Sequence, residues 1–198
     1  MSEVEKLLTM NYENVCNFLK NKYGCISKNY FSDATMSKKS QGITRGKEGL
    51  YIHHIDEDKA ILLSTPKWAQ KSPFAYQYAD RLVYCNLLEH LVLHIKIFEY
   101  PHPNKHNFME IGVGGIYAFI VPELNDIYSG IQYKQPWKQK VTEVVLPLKE
   151  DYFKCIKKLV ELGFSYPLLT SFNHQFGTWN NRNNNKLYEE MKKMGVKQ

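Results

Sequence analysis

The sequence contains no Cys-x-x-Cys pair: Cys16, Cys25, Cys85 and Cys155 stand far apart. That spacing excludes a zinc ribbon and a dense disulfide framework, and free thiols in a reducing cytosol are the simplest account. No apolar run is long enough for a signal peptide or a membrane span, and the first residues, Met-Ser-Glu-Val-Glu-Lys, are charged. A soluble cytoplasmic protein with no membrane partner is therefore expected. There is no dinucleotide fingerprint, P-loop or nucleophile elbow, which leaves small-molecule metabolism poorly supported. The glycine cluster Gly112-Val-Gly-Gly115 has no Walker lysine after it and reads as a turn before a buried helix or strand. No internal repeat appears, only an Asn cluster near the C-terminus is compositionally biased, and no composition break divides the chain. Residues 1–198 read as a single domain.

Positive charge is what the chain has in surplus. Lys and Arg number 26 against 20 Asp and Glu, giving a net charge of +6 and a pI near 9.0. Such a balance favours polyanions through counterion release and long-range steering. Aromatic residues make up 14%, with fourteen Tyr, which suits either a rich core or a surface that stacks on flat ligands.

Taken in order, residues 2–22 read as an amphipathic helix capped by Ser2 and stopped by Gly24. From Ser27 to Gly49 polar residues dominate, and Lys38, Lys39, Arg45 and Lys47 fall here. This stretch is either a solvated loop or a basic arm that touches phosphates. Leu50–Ile55 and Ala60–Leu63 look like two strands joined by the polar connection Asp56-Glu-Asp-Lys59. The longest periodic stretch runs from Ala75 to about Tyr100 and ends at Pro101-His-Pro103. A weak strand candidate covers Thr142–Pro147, and a clear amphipathic helix begins at Lys149 and stops at Gly163. An aromatic, Asn-rich segment follows, in which Trp179 and Arg182 would stack on bases or pack as a loop, and a short helix closes the chain.

Four of the seven histidines fall in two of these stretches: His53 and His54 as a doublet, His90 and His94 one helical turn apart. An i, i+4 pair on a helix can reach one ion, whereas neighbours on a strand point to opposite faces, so only one of the doublet would ordinarily join them. The other could take a proton from water, since an imidazole with a pKa near 6.5 is a competent base at neutral pH. His102, His106 and His174 read as ordinary packed histidines.

Tyr51-Ile-His-His-Ile55 and Leu82-Val-Tyr-Cys-x-x-x-Glu-His-x-x-x-His94 together resemble the HNH, or His-Me-finger, endonucleases, closest to phage-type and colicin-type members. The resemblance spans about Gly49 to Phe98. It implies a ββα-metal core over 49–98, and with the N-terminal helix over 1–26 and a C-terminal extension over 104–198 the expected fold is helix-rich α+β. It also implies that His54 is the general base and that His53, His90 and His94 hold a divalent metal such as Mg²⁺, Mn²⁺, Zn²⁺ or Ni²⁺. The expected activity is hydrolysis of DNA phosphodiesters by His-activated water, with Lys38, Lys39, Arg45, Lys47, Trp179 and Arg182 as candidate nucleic-acid contacts. One departure stands out. Arg81 occupies the position of the family's loop-steadying Asn, and an Arg cannot accept hydrogen bonds as an amide can. Arg81 therefore contacts phosphate, or the loop is held otherwise, or the protein is a catalytically inactive relative that binds nucleic acid or a protein partner. RNA is the alternative substrate, because the catalytic apparatus reads the phosphodiester rather than the sugar.

Overall fold

The computed structural model describes residues 1–103, 111–172, 185–193 and 195. The fold is α+β and rich in helix, with a small antiparallel sheet of two strands, β1 (Tyr51–His54) and β2 (Leu82–Cys85). Their register pairs Tyr51 with Cys85, Ile52 with Tyr84, His53 with Val83 and His54 with Leu82.

The sheet partner differs from the expected one. Ala60–Leu63 forms no strand, and β1 pairs across a long excursion with Leu82–Cys85, the stretch that the apolar spacing places inside a helix. Leu82, Val83, Tyr84 and Cys85 are all buried, and a short run that is apolar throughout fits a buried strand as well as a helix. Asn86 then starts the helix Leu87–Glu99. Its side chain accepts from the amides of Leu88 (2.9 Å) and Glu89 (2.8 Å), while the Glu89 carboxylate accepts from the Asn86 amide at 2.7 Å. This capping box fixes where strand gives way to helix.

The site helix Leu87–Glu99 is the central element of the core. Leu88, Leu91, Val92 and Ile95 are all fully buried, and each contributes about 1.5–3 kcal/mol through removal from water. The N-terminal segment packs against it as two helices, Glu3–Thr9 and Tyr12–Tyr23, where a single one was expected. The break comes at Met10, which is extended, and Asn11 caps the second helix by accepting from the Asn14 amide at 2.8 Å. Lys22 and Tyr23 on that helix reach Glu89 at 2.6 Å and 3.0 Å, tying it to the start of the site helix.

A helical run begins at Val113 and reaches Tyr128, winding as a π-helix over Ile116–Ile120 just before Pro122. A proline has no amide hydrogen and its ring crowds the carbonyl four residues back, so a widened turn at this point relieves the clash. Residues 136–145 form a helix where a strand over Thr142–Pro147 was expected, and Lys149–Glu161 is helical as its periodicity predicts. A second, smaller hydrophobic cluster holds Tyr30, Phe31, Met36 and Ile43, so 27–49 is folded onto the body. No described helix is long and apolar enough to cross a membrane, and all four cysteines are free.

Candidate metal centre

β1 sends its two imidazoles to opposite faces, as alternation requires. His53 faces the site helix, with its ring 5.2 Å from that of His90 and 5.3 Å from that of His94. His54 faces the other way, packed at 4.5 Å against the Tyr30 ring. His90 and His94 are 4.9 Å apart, centroid to centroid, on one face of the site helix. A fourth donor is Glu57, which the 3₁₀ turn Ile55–Asp58 brings back under the strand. One donor atom from each of His53, Glu57, His90 and His94 lies within 4.8 Å of the other three, a spread that can hold a metal ion.

The surrounding hydrogen bonds decide which nitrogens are available. The Tyr12 hydroxyl lies 2.8 Å from the Ile55 carbonyl and 2.7 Å from His53 Nε2. A carbonyl can only accept, so the hydroxyl proton goes to Ile55 and the oxygen accepts from His53 Nε2–H. His53 Nδ1 is then bare, and it has no hydrogen-bond partner although it is buried. His94 donates from Nδ1–H to the Gly112 carbonyl at 3.0 Å, which leaves Nε2 bare, 3.3 Å from Glu57 Oε2. Neither ring nitrogen of His90 has a partner, and both are sealed from solvent. Lone pairs of three imidazoles thus converge on a carboxylate. Burial pushes His53 well below the ordinary pKa of 6.5 and takes His90 down to about 3, so both are neutral ligands rather than cations. Bare lone pairs facing a carboxylate repel one another unless a cation sits among them. Nitrogen and oxygen donors of this kind suit Zn²⁺, Ni²⁺, Mn²⁺ or Fe²⁺.

Two glycines make room for this cluster. Gly112 has φ +87°, a left-handed conformation in which a side chain would be strained, and it presents the carbonyl that holds His94. A Cβ at Gly115 would lie 2.3 Å from His94 Cε1.

His54 is held by Gln77, itself fully buried. The Gln77 amide donates to the Leu63 carbonyl at 3.2 Å, so its Oε1, 2.9 Å from His54 Nε2, accepts from that nitrogen. His54 Nδ1 is then bare and lies 3.6 Å from Glu57 Oε1. One carboxylate therefore lies between the three-histidine cluster and the fourth imidazole.

Arg81 does not stand free to meet a ligand. It grips the buried Asp56 carboxylate with two bonds, 2.7 Å from Nε and 2.8 Å from Nη2, and fastens the start of β2 to the turn after β1. Of the basic residues in 38–47, Arg45 is bound to Glu48 and to the Tyr23 carbonyl, and Lys39 lies over the Tyr30 ring at 4.5 Å. Lys38 and Lys47 are exposed. Trp179, Arg182, His106 and His174 lie outside the described residues.

The residues that sequence reasoning missed are Glu57, Tyr12, Gln77, Gly112 and Gly115. Only Glu57 left a trace, as a carboxylate four residues after His53, within what reads as a polar connection between strands. No family model matches the chain, and no curated protein or solved structure matches it either.

Proposed function

We propose that this protein is a metal-dependent endonuclease of the His-Me-finger kind that hydrolyses DNA phosphodiesters. The observation that carries this reading is the pairing of two differently built histidine sites: three bare imidazole nitrogens gathered with Glu57, and His54 alone on the opposite face of β1 with Nδ1 bare. The order of β1, β2 and the site helix supports the ββα-metal reading that the sequence resemblance implies. The surplus of positive charge agrees with a polyanionic substrate.

His53, His90 and His94 would hold the ion in this reading. A bound divalent cation supplies charge neutralisation at the phosphate and at the departing 3′ oxygen. His54 Nδ1 takes a proton from the attacking water. Gln77 fixes the tautomer that makes this possible, since acceptance at His54 Nε2–H leaves the lone pair on Nδ1. Glu57 lies between His54 and the ligand histidines, 3.6 Å from His54 Nδ1 and 3.3 Å from His94 Nε2. Arg81 takes over the fastening role of the family's Asn, using an ion pair to Asp56 in place of an amide.

The test is cleavage of plasmid DNA in the presence of Mg²⁺, Mn²⁺, Ni²⁺ or Zn²⁺ by the wild type and His54→Ala. Cleavage by the wild type with loss in His54→Ala is expected. Equal rates would end the assignment of the base, and no cleavage with any metal would end the nuclease reading.

A second reading has one observation behind it. With Glu57 included the donors number four, enough to close a tetrahedral ion with no open position, which is the form of a structural site. The protein would then be a catalytically inactive relative that binds nucleic acid or a protein partner. Tight metal stoichiometry, unfolding on chelation and no turnover would favour it.

A further inference from the structure

A cleft of about 660 Å³ opens on the ligand cluster, with Glu57, His90 and His94 on its lining. Its remaining wall is neutral. Among the described residues no Lys or Arg lines it. Tyr117, Phe119 and Tyr166 line it, and Ser64 and Thr65 add hydroxyls. Tyr117 and Tyr166 stack on each other at 4.6 Å and 13°, and Phe119, 47% exposed, lies 6.2 Å from Phe172, 52% exposed. Leu62, also on the lining, has φ +53°, a left-handed conformation unusual for a residue with a side chain. The neighbouring Leu63 carbonyl is held by Gln77. This wall is thus fixed in a shape that the backbone alone would not prefer.

Away from the ligand histidines the described wall offers a phosphate no cationic side chain, so the aromatic part of the cleft is not where the backbone of a nucleic acid lies. An aliphatic ligand would suit the wall but would bring no phosphodiester to the histidines. A nucleobase satisfies both conditions: it is flat and neutral, it has a polar edge, and it is attached within one sugar of the phosphate. Aromatic side chains stack on any base, and polar groups at a pocket's rim meet its edge. A base that is paired and stacked in a duplex cannot enter a depression of this kind. Resting on the nuclease reading above, we propose that the cleft receives an unpaired base beside the scissile phosphate, and that the substrate is single-stranded or locally opened DNA rather than intact duplex.

The experiment uses the full chain with Mn²⁺ and one oligonucleotide sequence in three forms: single strand, duplex, and duplex with a central unpaired bubble. A fourth set carries an abasic site at each position flanking the cut. Single strand and bubble are expected to be cut about tenfold or more faster than duplex, and one abasic position is expected to lose a similar factor. Phe119→Ala is expected to slow the intact strand by about tenfold and to cost little more on the strand abasic at that position, because the two changes remove the same contact. Phe119 is half exposed, so this variant should fold, and a circular dichroism melt verifies that. Equal cutting of duplex and single strand, or additive losses in the cycle, would overturn the inference and leave the nuclease reading intact. Cleavage of none of the oligonucleotides by the wild type would overturn the nuclease reading itself.

Discussion

Gly115 lies against the His94 ring so closely that a Cβ there would meet Cε1 at 2.3 Å, Nδ1 at 2.6 Å and Nε2 at 3.0 Å. The absence of a side chain at 115 is thus part of the candidate metal centre. Gly115→Ala should displace the imidazole from its bond to Gly112 and lower metal affinity about 10–100-fold. The overpacking itself should cost about 1–3 kcal/mol of stability. Calorimetric titration with Zn²⁺ checks the first figure, and an affinity equal to wild type would show that His94 is not a ligand.

Tyr12 acts on the same centre from the other side. Its hydroxyl accepts from His53 Nε2–H while donating to Ile55, so Tyr12→Phe removes the group that chooses the tautomer. Metal affinity should fall about tenfold or more with only about 1 kcal/mol lost in stability. Nitrogen-15 NMR of the imidazoles reads the tautomer directly. A His53 that keeps its proton on Nε2 in Tyr12→Phe would sink this account.

These two contacts mark the limit of what the sequence could reveal. The i, i+4 spacing of His90 and His94 and the alternation of His53 and His54 are short-range rules of helix and strand, and both appear in the structure as read. Tyr12 and Gly115 lie 41 and 21 residues from the imidazoles they serve, and no local pattern announces such a pairing. Leu82–Cys85 misled for a different reason: an unbroken apolar run has no period, and it became a strand because β1 was there to pair with it. Ala60–Leu63 had similar composition and no partner, and its backbone went to the wall of the cleft.

Arg81 and Asp56 should behave as a structural pair. Asp56 is 1% exposed, and burial alone would raise its pKa, but Arg81 and Lys59 hold it below the usual carboxylate range. Arg81→Ala leaves that buried carboxylate with Lys59 as its other cationic partner, at 2.6 Å, and should cost about 1–3 kcal/mol. Arg81→Asn, which puts an amide in place of the guanidinium, should be destabilised by a similar amount, because Asp56 keeps its charge and loses its bidentate partner. Urea denaturation measures both. A wild-type midpoint in Arg81→Ala would show that the ion pair does not fasten the loop.

Acid should loosen the metal-free protein sooner than ordinary carboxylate titration would. Burial lowers the pKa of His53 well below 6.5 and that of His90 to about 3, whereas both return to about 6.5 when the chain unfolds. Between those values the unfolded chain binds protons that the folded chain refuses, so stability rises with pH and is lost as pH falls below about 6.5. Each such histidine contributes a slope of at most about 1.4 kcal/mol per pH unit. Urea midpoints of chelator-treated protein at pH 7.5 and 5.5 give the comparison. An unchanged midpoint would mean that these imidazoles accept protons freely in the folded state.

Under the proposed nuclease reading, Gln77 separates the base from the ion. Its Oε1 is 2.9 Å from His54 Nε2, and its side chain bonds to His54 and the Leu63 carbonyl rather than to His53, His90, His94 or Glu57. Gln77→Leu removes the acceptor that keeps the His54 proton on Nε2 and also frees the Leu63 carbonyl, at a cost of about 1–3 kcal/mol in stability. Gln77→Glu keeps an acceptor facing Nε2–H. The turnover of Gln77→Leu on plasmid DNA should therefore fall by about 10²–10⁴, the range for a misplaced general base, while its Zn²⁺ affinity stays near wild type. Gln77→Glu should retain more activity than Gln77→Leu, because the bond that sets the tautomer survives. If both variants lost metal affinity and activity together, Gln77 would be a pillar of the whole centre and His54 would have no separate function for it to serve.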